Sequence, residues 1–137
     1  MQYWLVKSEP GAYSWQQFEK DGKTMWEGVR NYQARNNLQA MQKDDMVLFY
    51  HSVSEKQVMG IGRVVKTAYP DPTASDDRWV VVELVPETKF SSPVTLATIK
   101  ADPRLDQIAL VKQSRLSVMP LKPAEFDTIV ELGNPES

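Results

Sequence analysis

The stretch Gln57 to Tyr69 constrains the fold more than any other. It reads as one long strand, yet Gly60 and Gly62 interrupt its β-branched run. Glycine inside a strand marks a bulge, a sharp bend or a close backbone approach, so a flat open ribbon is disfavoured. A polar, Pro-containing loop, Pro70 to Asp77, follows, and Arg78 to Val85 is the most β-branched segment of the chain. Tyr3 to Lys7 and Met46 to His51 are apolar on both faces, so both of their faces need cover. Arg115 to Leu121 reads as a last strand. Strands of this kind, mostly antiparallel by prevalence, favour a strongly coiled sheet or small barrel flanked by helices. The expected class is α+β.

Short helices fill the intervals. Ser14 opens one as a capping box with Gln17; Trp15 and Phe18 form its buried stripe and Gly22 ends it. Asn31 to Gln42 repeats apolar residues at Ala34, Leu38 and Met41, with Asp44-Asp45 as the turn beyond. Thr95 caps one or two turns to Lys100. Pro123 starts a terminal helix carrying Phe126, Ile129 and Val130, with Gly133 at its stop. Trp15 and Trp79 both read as core residues.

Length and composition exclude several classes. At 137 residues the chain is expected to form a single domain over residues 1–137, with a core large enough to need no staple. It has no cysteine, which excludes disulfides, thiolate metal sites and a cysteine nucleophile; with His51 as its one histidine, no metal and no cofactor are expected. No apolar run is long enough to span a membrane and no signal peptide is recognisable, so an intracellular, cytoplasmic location is expected. There is no dinucleotide-binding or Walker motif. Lys and Arg number 16 against 18 Asp and Glu, a net charge of -2, which argues against a protein that coats nucleic acid by charge alone.

Four segments concentrate polar and aromatic residues at strand ends or helix starts: Lys7 to Pro10, Trp26 to Asn31, Phe49 to Ser52, and Ser114 to Ser117. Together they offer flat rings (Trp26, Tyr50), short donors and acceptors (Ser8, Asn31, His51, Ser117) and cations (Lys7, Arg30, Arg35, Arg115). A planar heteroaromatic ligand bearing phosphate suits such a set. Plainer readings stand beside it. Trp26 reads equally as core, and His51 equally as a buried strand histidine. Arg30 at a helix start opposes the helix dipole, which points to an outside anion or Glu27 as its partner. A Ser8–His51–Glu9 triad is weak, because no nucleophile elbow is present.

Tyr3 to Pro10, Tyr13-Ser14-Trp15, Trp26 to Asn37, Asp45, Phe49 to Ser52, Val58 to Val65, Tyr69 to Pro72 and Leu110 to Val118 together resemble the EVE domain family across the whole chain. That resemblance implies a PUA-like fold, a small, mostly antiparallel β-barrel of five to six strands with short helices around it, related to YTH domains. It further implies a non-catalytic reader of modified bases, 5-modified cytosine foremost, in DNA or RNA. Lys7-Ser8 and Trp26 occupy the places that form the base pocket in YTH domains.

On this reading one base leaves its strand and enters a pocket. Trp26 and Tyr50 are its walls, and Lys7, Ser8, Asn31, His51 and Ser117 address the base edge. Arg30, Arg35 and Arg115 hold flanking phosphates. The rivals are a base- or nucleotide-processing hydrolase using Glu9 or His51, a binder of a free nucleotide-like metabolite, and a protein-interaction module.

Overall fold

The computed structural model describes residues 1–135, and it orders them as strands wrapped by helices. In chain order the elements are β1 (Tyr3–Ser8), α1 (Trp15–Asp21), β2 (Thr24–Met25), α2 (Tyr32–Ala40), β3 (Met46–His51), β4 (Gln57–Pro70), β5 (Val80–Thr95), α3 (Leu96–Ala101), α4 (Ala109–Lys112), β6 (Val118–Leu121) and α5 (Pro123–Gly133). One six-stranded sheet runs β2-β5-β4-β3-β1-β6, so its ends do not meet in a closed barrel. β1 and β3 are parallel and every other pair is antiparallel. The fold is α+β, and the mostly antiparallel expectation stands.

Local chemistry sets the helix ends. Ser14 accepts from the Gln17 amide, Asn31 from Ala34 and Thr95 from Thr98, each closing a first turn. The capping box of α1 is only half made, because the Gln17 side chain turns forward to Asp21. Phe126 and Ile129 of α5 are buried as expected, whereas Val130 is only half-buried. Asp45 is more than a turn residue. Its buried carboxylate accepts from the Gln2 and Gln42 amides and from the Trp4 indole N–H, tying β1 to the start of β3.

The glycines of β4 act as the sequence anticipates. Register shifts between β4 and β5 fall at Val58/Gly60 and Ile61/Gly62. Trp15, fully buried, lies directly against Gly60, and stacked Phe18 and Phe49 rings continue the core beneath the sheet. A Cβ on Gly60 would land on the Thr88 carbonyl oxygen and 2.8 Å from the Trp15 ring. Gly60→Ala is therefore expected to cost about 3 kcal/mol, the upper range for overpacking, because one obstacle is backbone. A urea midpoint equal to that of the wild type would refute the close approach.

Three further expectations change. The last strand begins only at Val118, because Arg115 to Ser117 lie in the loop before it, where the Leu116 amide donates to Gln113. β5 runs to Thr95, well beyond Val85, because its Pro86 sits opposite Gly62 at a register irregularity where a missing N–H is tolerated. Trp79 is half-buried outside the core, tilted against Tyr32 at 5.1 Å with the Arg30 guanidinium 5.8 Å from its ring.

Candidate functional site

At the end of the sheet where β1 stops lies a cavity of about 540 Å³. Glu9-Pro10-Gly11 turns the chain sharply, the Ala12 and Tyr13 amides both donating to the Glu9 carbonyl. Ser8 sits inside this turn, and its hydroxyl donates to the Tyr13 carbonyl at 2.6 Å. That commits the hydroxyl proton and leaves the oxygen able only to accept, on a residue that lines the cavity. Lys7 is half-buried, and its Nζ donates to the Ser114 carbonyl at 2.8 Å while its amide donates to Ser117. Burial pushes the Lys7 ammonium below its ordinary pKa.

Trp26 forms the facing wall. It is 8% exposed, with its ring edge-on to Phe49 at 5.5 Å and to Tyr13 at 6.4 Å, and its amide donates to the Val82 carbonyl. The indole is anchored in the core and also lines the cavity. A rigid aromatic at a cavity wall suits stacking, because no side-chain freedom remains to be lost on binding.

The wall continues through Gly28 to Arg30, and a residue from the β4–β5 loop holds it. Asp71 is 3% exposed and accepts from the Gly28 amide (2.9 Å), Arg30 Nη1 (3.0 Å), and the Thr73 amide and hydroxyl (2.7 and 2.6 Å). Gly28 has φ +80, a left-handed conformation that disfavours any side chain. Burial alone would raise the Asp71 pKa. The hydrogen bonds from Thr73, Gly28 and Arg30 outweigh it and hold the carboxyl down at about 2. Arg30 therefore has a partner within the protein, and that partner is Asp71, not Glu27. Asp71 escaped the sequence reading, although Tyr69-Pro70-Asp71-Pro72 carries turn chemistry.

Of the other residues singled out from sequence, Ser117 lines the cavity with Lys7, Ser8, Trp26 and Arg30. Asn31 and Arg115 lie in an adjoining groove, and the Asn31 side-chain oxygen is spent on capping α2. Arg35 lines neither space; it lies over the Tyr32 ring at 5.0 Å and donates to Asn36 and to the Arg78 carbonyl. Tyr50 and His51 require correction. Both are buried in β3, an interior strand between β1 and β4, and neither lines the cavity or the groove. His51, 1% exposed, accepts the Trp15 amide at Nε2 (2.9 Å) and meets Glu55 Oε1 at Nδ1 (2.7 Å). This arrangement assigns the proton to Nδ1 and leaves neither nitrogen for a base edge or a hydrolytic proton transfer. Tyr13, Thr24 and Met25 line the cavity although the sequence reading assigned them none of the pocket, and Glu9, read as a base in the hydrolase alternative, lines it too.

Among the described residues no cluster of His, Asp and Glu could hold a metal ion, and no helix is long and apolar enough to cross a membrane.

Mouse thymocyte nuclear protein 1 is 32% identical, over 98% of this chain and 74% of its own. The crystal structure of Atu2648 from Agrobacterium tumefaciens is 40% identical, with a TM-score of 0.95 over 97% of this chain and 93% of that one. Human THYN1, solved in complex with 5-methylcytosine containing DNA, is 31% identical, with a TM-score of 0.90 over the whole of both chains. A Zygosaccharomyces rouxii YTH domain is similar in fold alone, at 14% identity and a TM-score of 0.62, covering 97% of this chain and 86% of its own. These neighbours make the fold PUA-like. The EVE domain pattern matches residues 2–132, and the chain belongs to the EVE domain family.

Proposed function

We propose that this protein is a non-catalytic reader that takes one modified base of a nucleic acid strand, 5-modified cytosine foremost, into the cavity between Lys7-Ser8 and Trp26. The observation that carries this reading is the pairing of a fixed indole wall with polar groups of defined direction, in a chain whose human relative is solved with 5-methylcytosine DNA. The cytosine edge offers one amino donor and two acceptors. Ser8 Oγ, its proton already given away, matches the amino group; Lys7 Nζ and the Ser117 hydroxyl match the acceptors. Trp26 stacks on the ring. No cofactor enters, and the burial of His51 takes one of the two bases away from the hydrolase alternative. The relatives named as nuclear proteins give no support to a cytoplasmic location.

A 5-methyl group buried against apolar wall atoms gains about 1 kcal/mol, roughly a fivefold preference. Larger discrimination needs a polar group on the modification. Single-stranded DNA and RNA oligonucleotides carrying one 5-methylcytosine, cytosine or N6-methyladenine are to be compared at one stated salt concentration. The expected result is several-fold tighter binding of 5-methylcytosine, with every oligonucleotide recovered intact. Equal affinities for methylated and plain cytosine overturn the assignment, and a deaminated or cleaved product overturns its non-catalytic character.

A further inference from the structure

Beside the base cavity is a second concavity, about 320 Å³, between the start of α2 and the loop leading into β6. Asn31, Gln33 and the run Lys112 to Leu116 line it. It adjoins the cavity at three places: the Arg30–Asn31 link, the Leu116–Ser117 link and the hydrogen bond from Lys7 to Ser114. Among the described residues no carboxylate lines it, whereas Glu9 and Glu27 stand on the cavity itself. Lys112 and Arg115 are exposed and enter no ion pair among the described residues. The loop presenting them is firmly held: Gln113 donates to Ala109, Leu116 donates to Gln113, and the Leu116 side chain is buried. Of the other candidate cations, Arg30 is committed to Asp71, Arg35 to the Tyr32 ring and the Arg78 carbonyl, and Lys7 donates to the Ser114 carbonyl.

We propose that this groove is a phosphodiester site that takes the backbone phosphate adjoining the base in the cavity. Lys112 and Arg115 supply the charge, and the Gln33 and Gln113 amides and the free Asn31 Nδ2 supply hydrogen bonds. The strand then leaves the cavity between α2 and the loop before β6. This proposal rests on the base-reading function and adds a direction to it. It also explains how a chain of net charge -2 grips a polyanion: the cations are local and face no competing carboxylate.

The test is the salt dependence of binding to a single-stranded oligonucleotide with one 5-methylcytosine, measured for the wild type, the Lys112→Ala/Arg115→Ala double variant and Arg35→Ala. Both groove side chains are exposed, so the double variant is expected to keep the wild-type melting temperature. Losing the charge that neutralises this one phosphate reduces the slope of log K against log salt by about 0.7 and weakens binding at low salt by about tenfold. Arg35→Ala leaves the slope unchanged. An unchanged slope in the double variant, or an equal loss in Arg35→Ala, overturns the groove assignment. The isolated 5-methylcytidine nucleoside, which carries no phosphate, is expected to bind both proteins equally; a loss there also overturns it. Inorganic phosphate that competes at the same concentration as the oligonucleotide would make this a free-anion site and overturn the strand path. Trp26→Phe, run in parallel, reports on the base cavity alone: a reduced groove slope with no effect of Trp26→Phe on affinity indicts the base-reading function, not the groove.

Discussion

Trp26→Ala is expected to remove measurable binding of a 5-methylcytosine oligonucleotide, and Trp26→Phe to weaken it by about tenfold. An aromatic platform is worth about 1–3 kcal/mol for each base stacked on it, so losing the wall alone costs one to two orders of magnitude in affinity. The alanine variant loses more, because the same indole packs edge-on against Phe49 and Tyr13. Removing a buried aromatic costs about 3–5 kcal/mol of stability, which would confound a binding assay on its own. Phenylalanine keeps a ring against Phe49 while shrinking the stacking surface, and so separates the two roles. Titration by fluorescence anisotropy at fixed salt gives affinity, and a urea midpoint on the same preparations gives stability. Wild-type affinity in a folded Trp26→Ala protein would remove Trp26 from the site.

The helix starts at Ser14, Asn31, Thr95 and Pro123 were legible from sequence because caps are local: each depends on residues within one turn. The Gly60/Gly62 irregularity was legible for the same reason. β2 was missed, since its two residues form a strand only by pairing with Glu83 and Leu84 far along the chain. In the site, Lys7-Ser8 and Trp26 stood out because an indole in a polar run and a polar pair ending an apolar strand are locally anomalous. His51 looked alike for that reason and proved different. Its burial is one of the two readings open to it from sequence; the pairing of β3 between β1 and β4, which no local pattern reports, decides between them. Trp79 erred in the opposite direction, a tryptophan beside a β-branched run that the sheet leaves at its margin. Arg30 was correctly read as needing an anion, but its partner lies 41 residues away.

That partner gives the largest expected effect on the fold of the site. Asp71→Ala leaves the Gly28 amide, the Arg30 guanidinium and the Thr73 donors without their shared acceptor, and breaking a buried pair in this way costs about 3–5 kcal/mol. The wall from Gly28 to Arg30 should loosen, so affinity for the oligonucleotide should fall even where the protein remains folded. The pH dependence isolates the charge. The carboxyl titrates at about 2 in the folded protein against an ordinary 3.8, so its share of stability is present in full above about pH 4. It is lost as pH falls through 2, because protonation then no longer distinguishes folded from unfolded chain. A shift of this size corresponds to about 2 kcal/mol. Asp71→Asn, similar in shape and uncharged, should lack that share: less stable than wild type at pH 6, with a loss between pH 5 and 2 that is smaller by about the same amount. Urea unfolding at a series of pH values measures both. Parallel acid profiles for the two proteins would mean that the Asp71 charge does not hold the cavity wall, and that Arg30 is free to meet the strand after all.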